Sequence, residues 1–492
     1  MIESIRKQVV VAGGGAAGIA AAISAARNGA ETLLVDYNGY LGGNSAILPW
    51  LGFHDNRYRQ VVKGLAAEFV HLLQQRGEAS RYVLDPKCSS AVSLNNHAWK
   101  IAALELAQAA GAQLMLQTQV VGTLREGDRI AGIQVQHKSG CQNIYGDVTI
   151  DCTGDGDVAA RGDVAWEKGR TGDGLVQAPT LVFRIGGIDR GDFVKGCKDK
   201  DNNYREWLSP YPDLWEKMMR RIDTEPLFIT GGFAGLVEKA RRAGDFDVPQ
   251  SRIVGVKSHI HDEFVVVTTR VLGLDPTDVH SLTDAYTRIY QQIPILLNFF
   301  RKYMPGCKHA TLREIAPMLG VRESRRIVGD YVLSKEDVIN GRIFPDAIAM
   351  GGYHIDIHRP AGTWVESHNV EAYTIPLRSL IARGVEGLLM AGKCLSATHE
   401  AIASARVIPI CMAQGQAAGT AAALSIRAGR PVRNIGVVEL QDTLVAQGAE
   451  IGRTLRDSDP GVVERIGLLP REEPETTGDY DVVTQSETAW IR

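Results

Sequence analysis

The stretch Val9–Asn38, "VVVAGGGAAGIAAAISAARNGAETLLVDYN", decides the fold. "QVVVA" (8–12) is a short, valine-rich apolar run, the pattern of a parallel strand buried on both faces. Gly13, Gly15 and Gly18 follow at G-x-G-x-x-G spacing, then an alanine-rich helix to about Asn28-Gly29. A second strand, "TLLVD" (32–36), ends in an acid. Gly13 permits a tight turn, Gly15 lets a diphosphate approach the backbone, and Gly18 lets helix and strand pack closely. The helix N-terminus at Ala16 and Ala17 offers unpaired N–H groups and partial positive charge to that diphosphate. Asp36 stands where a carboxylate accepts hydrogen bonds from ribose hydroxyls. No arginine follows it closely, which disfavours a ribose 2′-phosphate. The stretch reads as a dinucleotide cradle; which dinucleotide it holds is left open by these residues alone.

Bulk properties narrow the classes. A chain of 492 residues can bury a large core and divides into nested lobes. Net charge is −3 with no dense Lys/Arg block, so neither nucleic acid nor an anionic membrane is expected as a partner. The seven cysteines form no C-x-x-C pair, which argues against an iron–sulfur cluster, a structural zinc site or a disulfide framework and favours a cytoplasmic, reducing compartment. Two uncharged runs, Gln8–Ala26 and Val407–Ile426, are interrupted by glycine, proline or glutamine, and no membrane span is expected.

The far end of the chain carries a second signal. "EGLLMAG" (386–392) reads as a buried strand, and "ICMAQGQAAGTAAALSIRAG" (410–429) as a helix of small residues whose N-terminal end can stabilise negative charge. "DVTIDCTGDGD" (147–157) is a strand followed by a Gly/Asp turn at Thr153, Gly154 and Asp155. Together with the cradle and "LGG" at 41–43, this pattern resembles the FAD-dependent oxidoreductases of the glutathione-reductase-like superfamily. The closing "GLLMAGKCLSATHEAIASARVIPICMAQGQAAGTAAA", with "GVRESRRIVGDYVLSKEDV" (320–338) and "YHIDIH" (353–358), resembles one bacterial branch of it, distantly related to the fumarate reductase flavoprotein. Many relatives have Glu where this chain has Asp36, and the shorter acid still reaches a ribose.

The resemblance implies an α/β fold: a Rossmann-like, glutathione-reductase-like FAD-binding lobe with an inserted α+β substrate lobe. The FAD lobe is expected at 1–171 plus 376–450, with a helical insertion at 51–110. The cap is expected at 172–375, and a polar tail at 451–492. Its implied cofactor positions are Gly13, Gly15, Ala16, Ala17, Gly18, Asp36, Gly42, Gly43, Asn44, Val120, Thr153, Gly154, Asp155, Gly392, Lys393, Gln414, Gly415 and Ala417. "LGGNSAIL" lies where some relatives attach flavin through His; it has none, so non-covalent FAD is expected.

For chemistry, alternation along a strand puts His354, Asp356 and His358 on one side of "YHIDIHRP" and Tyr353, Ile355 and Ile357 on the other. A substrate-contacting row is favoured over an internally hydrogen-bonded face or a metal site, and no metal is assigned, though "SHIHDE" (258–263) offers further candidate ligands. The resemblance places His399 and Arg406 near the flavin ring. There His399 can take a proton from a substrate hydroxyl, and Arg406 can bind a carboxylate or stabilise the reduced flavin. In "RESRR" an ion-pair network tying the lobes together is the plainer reading, and a grip by Arg322 or Arg325 on an anionic substrate the sharper one. Cys394 reads as a packed side chain rather than a redox group.

The expected function is oxidation of a small polar molecule, an alcohol or a C–C bond beside an acid, by hydride transfer to flavin N5. The acceptor (quinone, O2 or a partner protein) and assembly into a homo-oligomer stay open. A redox-neutral flavin-dependent lyase, hydratase or isomerase, and a non-catalytic redox-sensing flavoprotein, are the rival readings.

Overall fold

The computed structural model describes residues 2–85, 89–199, 219–224, 228–257, 262–362 and 365–455. Its central sheet grows from the opening stretch. Val9, Val10 and Val11 have no exposed surface, as expected of a strand covered on both faces. Strand Ile5–Ala12 pairs in parallel with Thr32–Val35 on one side and Gly140–Asp151 on the other, with Val10 opposite Leu33 and Thr149. Gln113–Met115 extends the sheet beyond Thr32–Val35, and the late strand Leu388–Met390 lies parallel to Thr149–Asp151. Gln119–Glu126, Arg129–His137 and Gly140–Asp151 form an antiparallel meander at the other end. Strands Gln113–Met115 and Gln119–Glu126 are separated by a sharp break: Gln117 adopts φ +52°, and Thr118 N–H donates to the Asp36 carbonyl.

Helix Ala16–Arg27 lies directly against the late helix Ile408–Ala428. Only small residues permit that approach. A Cβ on Gly415 would sit 2.0 Å from the Ala17 carbonyl oxygen, and one on Gly419 2.1 Å from that of Ala21. The two glycines are four residues apart, hence on one face of the helix. Gly18 is equally committed: a Cβ there would lie 1.7 Å from the Gly13 carbonyl oxygen. The parallel sheet and this helix pair give a mixed α/β architecture in which the two ends of the chain close one unit.

The segment expected as a helical insertion is mixed. Helices Leu65–Gln75 and Asn96–Ala109 accompany a small antiparallel sheet of Trp50–Leu51, Val83–Asp85 and Ser89–Ser93. Strand pairing, invisible to the helical periodicity, claims the residues between the helices. Pro86 lies outside the described residues.

Over the parallel sheet stands a five-stranded antiparallel sheet, in the order Phe228–Gly232, Ile253–Lys257, Phe264–Val266, Phe183–Gly186, Thr311–Ile315. Helix Val279–Tyr303 accompanies it, and an aromatic cluster seals its core, with ring centroids 5.2 Å apart for Phe193–Phe264 and 5.8 Å for Phe264–Phe300. No single helix among the described residues is long and apolar enough to cross a membrane; a bent pair, His399–Ala405 with Ile408–Ala428, passes by composition, and its second member is a core helix.

Candidate functional site

A cavity of about 1060 Å³ runs between the parallel sheet and the antiparallel one. Its inner end is the cradle: Gly13, Gly15, Ala16, Ala17, Asp36, Gly43, Asn44 and Val120 line it. A Cβ on Gly15 would meet nothing within 4 Å, so the space over the helix N-terminus is open. Asp36 is buried; its carboxylate accepts from the N–H groups of Gly14 and Asn38. Burial lifts this carboxyl above its usual range and the two N–H bonds partly restore it.

Thr153, Gly154, Asp155, Gly392 and Lys393 continue the lining. Lys393 is ion-paired with Asp155, and Ser324 donates to the same carboxylate. The late helix presents its N-terminal turn to the cavity through Val407, Ile408, Pro409 and Cys411. That is the positive end of a 21-residue helix. These groups form an open helix N-terminus, an acid at the end of the second strand, and a second helix N-terminus. Such a set suits a dinucleotide lying lengthwise.

The family model for FAD-dependent oxidoreductases matches residues 8–444. The chain belongs to the FAD-dependent oxidoreductase family. FAD is therefore its cofactor, and it is a flavoprotein oxidoreductase acting on a small molecule. Among solved structures, this FAD-dependent oxidoreductase is similar to a geranylgeranyl bacteriochlorophyll reductase-like protein from Thermoplasma acidophilum, with 11% identity over 94% of this chain and 99% of that one, TM-score 0.41. It is also similar to p-nitrophenol 4-monooxygenase from Pseudomonas putida, with 10% identity over 96% and 91%, TM-score 0.46. L-proline dehydrogenase from P. horikoshii gives 13% identity over 91% and 100%, TM-score 0.42. No curated protein matches the chain.

Five of the residues implied as cofactor positions do not line the cavity of this FAD-dependent oxidoreductase: Gly18, Gly42, Gln414, Gly415 and Ala417. Gln414 is buried and works as a brace, accepting from Gly392 N–H at 2.8 Å and donating to the Ala405 carbonyl at 2.9 Å. Gly415 is spent on the contact with the cradle helix, and Ala417 is fully buried. Gly42, at φ +125°, shapes the turn that presents Gly43 and Asn44.

The cavity's middle carries the polar chemistry. Arg322, Asp356, His358 and Arg406 line it; His354 and His399 do not. Strand Ile355–His358 turns Ile355 and Ile357 into the core and leaves Asp356 between the two histidines. His358 Nε2 lies 3.2 Å from one Asp356 carboxylate oxygen, and His354 Nε2 lies 3.7 Å from the other. Tyr353, expected on the opposite side, lines the cavity because the strand begins only at Ile355. Among the described residues no three His, Cys, Asp or Glu side chains converge on a metal position, and His259 and His261 lie outside those residues.

Arg406 caps the short helix His399–Ala405 and donates to the Asp356 carbonyl at 2.9 Å and to Gln177 Oε1 at 3.2 Å. Arg322 donates to the Ala178 carbonyl at 2.6 Å and Thr180 Oγ1 at 3.0 Å. It keeps some surface toward the cavity, yet desolvation, with the nearby Arg406 charge, pulls its guanidinium down to about 9. Burial and the Arg322 charge push His358 well below its usual value, so its ring is neutral at pH 7.

His399 is turned away into a buried cluster. Its Nδ1 meets Glu323 at 2.8 Å, and Glu323 is also paired with Arg326. Arg326 in turn donates to the Ala397 and Gly169 carbonyls. "RESRR" thus divides: Glu323 and Arg326 are a structural brace, while Arg322 and Arg325 face the cavity. Sequence reading passed over Gln177, which holds both Arg406 and the His358 N–H, because a lone glutamine before a strand carries no pattern. Cys394 is a packed thiol, its proton retained by complete burial.

Proposed function

We propose that this FAD-dependent oxidoreductase oxidises an alcohol, or a C–C bond, adjacent to a carboxylate. One observation carries the reading: Arg322, Arg406, Asp356 and His358 converge on the wall of the cavity that also holds the cradle and the N-terminus of the late helix. Bound non-covalently, FAD would supply a two-electron acceptor for hydride at N5. Around it, Gly13, Gly15, Ala16, Ala17, Asn44, Thr153 and Gly154 hold the diphosphate and its flanks, Asp36 the ribose, and Val120 the adenine. Residues 1–171 with 376–450 form the Rossmann-like cofactor lobe, and 172–375 the cap.

Arg322 and Arg406 orient the substrate carboxylate by charge-assisted hydrogen bonds. His358, kept neutral, receives the substrate proton at the ring nitrogen that does not face Asp356, and the Asp356 carboxylate stabilises the imidazolium that results. This gives His358 the task first read onto His399. His399 holds Glu323, which fixes Arg326 against the Ala397 and Gly169 carbonyls.

Anaerobic visible spectroscopy tests the reading. A hydroxy acid or a saturated acid is expected to bleach the flavin of the wild-type protein. His358→Asn is expected to slow that bleaching by about a hundredfold or more, and Arg406→Met to lower kcat/KM about tenfold to a hundredfold. An FAD-loaded protein bleached by alcohols or amines but by no acid sinks the proposal.

A further inference from the structure

The cavity does not end at the polar cluster. Beyond Arg322 it opens against the antiparallel sheet, and there its walls change character. Val254 and Val256, two apart on one strand and therefore on one face, line it, as does Val182 on a neighbouring stretch. Helix Val279–Tyr303 contributes Val279, Leu282 and Tyr286, spaced i, i+3 and i+7 and so on a single stripe. Tyr286 is turned so that its hydroxyl accepts from Leu319 N–H at 2.8 Å, which leaves its ring as a wall.

This apolar chamber is continuous with the guanidinium pair. Thr180 and Val182 share one face, both line the cavity, and Thr180 Oγ1 is the partner of Arg322. Met318, Leu319 and Val321, also lining residues, run straight into Arg322 along the chain. The charge at this junction is unbalanced. Arg322 and Arg406 face the cavity with Asp356 as the carboxylate between them, and the buried Arg270 guanidinium adds its field to the same point. Glu323, the next nearest acid in sequence, is consumed by Arg326 and His399. Arg252, at the outer end of the Val254–Val256 row, is the cation on that row among the described residues.

From this juxtaposition we infer that the site takes an amphipathic monocarboxylate, its carboxylate on Arg322 and Arg406 and an apolar body of several carbons against Val182, Val254, Val256 and Leu282. The inference rests on the acid-binding reading above and adds a length and a polarity to it. A small hydroxy acid or sugar acid would leave the apolar walls facing water. A long substrate without a charge would leave two desolvated guanidinium groups to share the single Asp356 carboxylate, 4.0 Å from Arg406.

Binding is measured on the FAD-loaded wild-type protein by perturbation of the flavin absorbance spectrum, so no turnover is needed. The probes are straight-chain saturated monocarboxylates from acetate to decanoate, the matching primary alcohols, and α,ω-dicarboxylates of the same lengths. Each added methylene is expected to tighten monocarboxylate binding about threefold to fourfold until the chamber is filled. Octanoate should bind at least tenfold more tightly than 1-octanol or octanedioate. Val256→Asn should flatten the length dependence while leaving acetate binding unchanged, and Arg322→Met should erase the preference for octanoate over 1-octanol. An affinity independent of chain length, or tightest for the dicarboxylates, overturns the inference even if some short acid bleaches the flavin and so upholds the oxidation reading. Length-dependent binding of monocarboxylates with no acid ever bleaching the flavin supports the inference and overturns that reading instead. Retention of bound FAD by each variant separates loss of binding from loss of folding, and the wild-type series alone can overturn the inference.

Discussion

The cradle and the five-stranded antiparallel sheet, the cap of the proposal above, are both buried, but by opposite means. In the cradle, backbone meets backbone: Gly18 against Gly13, Gly415 against Ala17 and Gly419 against Ala21 leave no room for one methyl group. In the cap, large rings meet one another, Phe193 with Phe264 and Phe264 with Phe300. A backbone contact is satisfied by one residue type, whereas a ring cluster accepts any set of side chains of similar volume. The first kind of packing therefore writes a motif into the sequence, and the second writes only hydrophobicity.

The sharpest way to break this contrast is to add atoms to a glycine on each side. Gly415→Leu is expected to abolish FAD retention and yield no cooperatively folded protein, because its Cβ alone would overlap the Ala17 carbonyl. Gly231→Ala in the cap, where a Cβ meets nothing within 4 Å, should leave the melting temperature and bound FAD unchanged. Equal damage from both would show that the cradle contact is not special. Removing atoms reverses the ranking: Phe264→Ala should cost about 3–5 kcal/mol in denaturant unfolding while the native protein still retains FAD.

A third difference is titratable. His54 is buried beside Ser90, whose hydroxyl meets its Nδ1, and burial lowers the ring to about 4. The unfolded chain protonates this histidine near 6.5 and the folded one does not, so the unfolded state binds more protons between those values. Stability is complete above about pH 6.5 and falls as the pH drops towards 4, by roughly 3 kcal/mol. His54→Asn should remove that dependence in urea unfolding, and an unchanged profile would assign the acid sensitivity elsewhere. The smallest effect belongs to the cradle's acid. Asp36→Asn is expected to weaken FAD about tenfold by equilibrium dialysis, with the melting temperature of the apoprotein raised or unchanged, since burial already disfavours the ionised carboxylate.

These contrasts explain what could be read in advance. The strand–glycine–helix–strand–acid order of Val9–Asp36 was legible because every contact there restricts residue type. The late helix was legible from its small residues, but Gly415, implied as a cofactor position, faces the cradle helix; composition reports that something approaches closely, not what does. Strand alternation nominated Asp356 and His358, the charged run RESRR nominated Arg322, and the family resemblance nominated Arg406. His399 looked equivalent in sequence and is separated from them only by the direction of a seven-residue helix, which sets it on Glu323. The apolar chamber left no trace, because Val182, Val254 and Leu282 look like any core residues until a cavity is found beside them.

The pairing of the first helix with the late helix Ile408–Ala428 has a consequence for how the protein is made. The face of Ala16–Arg27 that receives Gly415 and Gly419 stays uncovered until translation has passed Ala428, roughly 20–80 s later at ribosomal rates. Throughout that interval the nascent chain exposes an incomplete nucleotide pocket, so acquisition of the cofactor waits on release of nearly the whole polypeptide. Premature termination anywhere before that late helix yields a product that chaperones and proteases meet as unfinished, however much of the antiparallel sheet it contains.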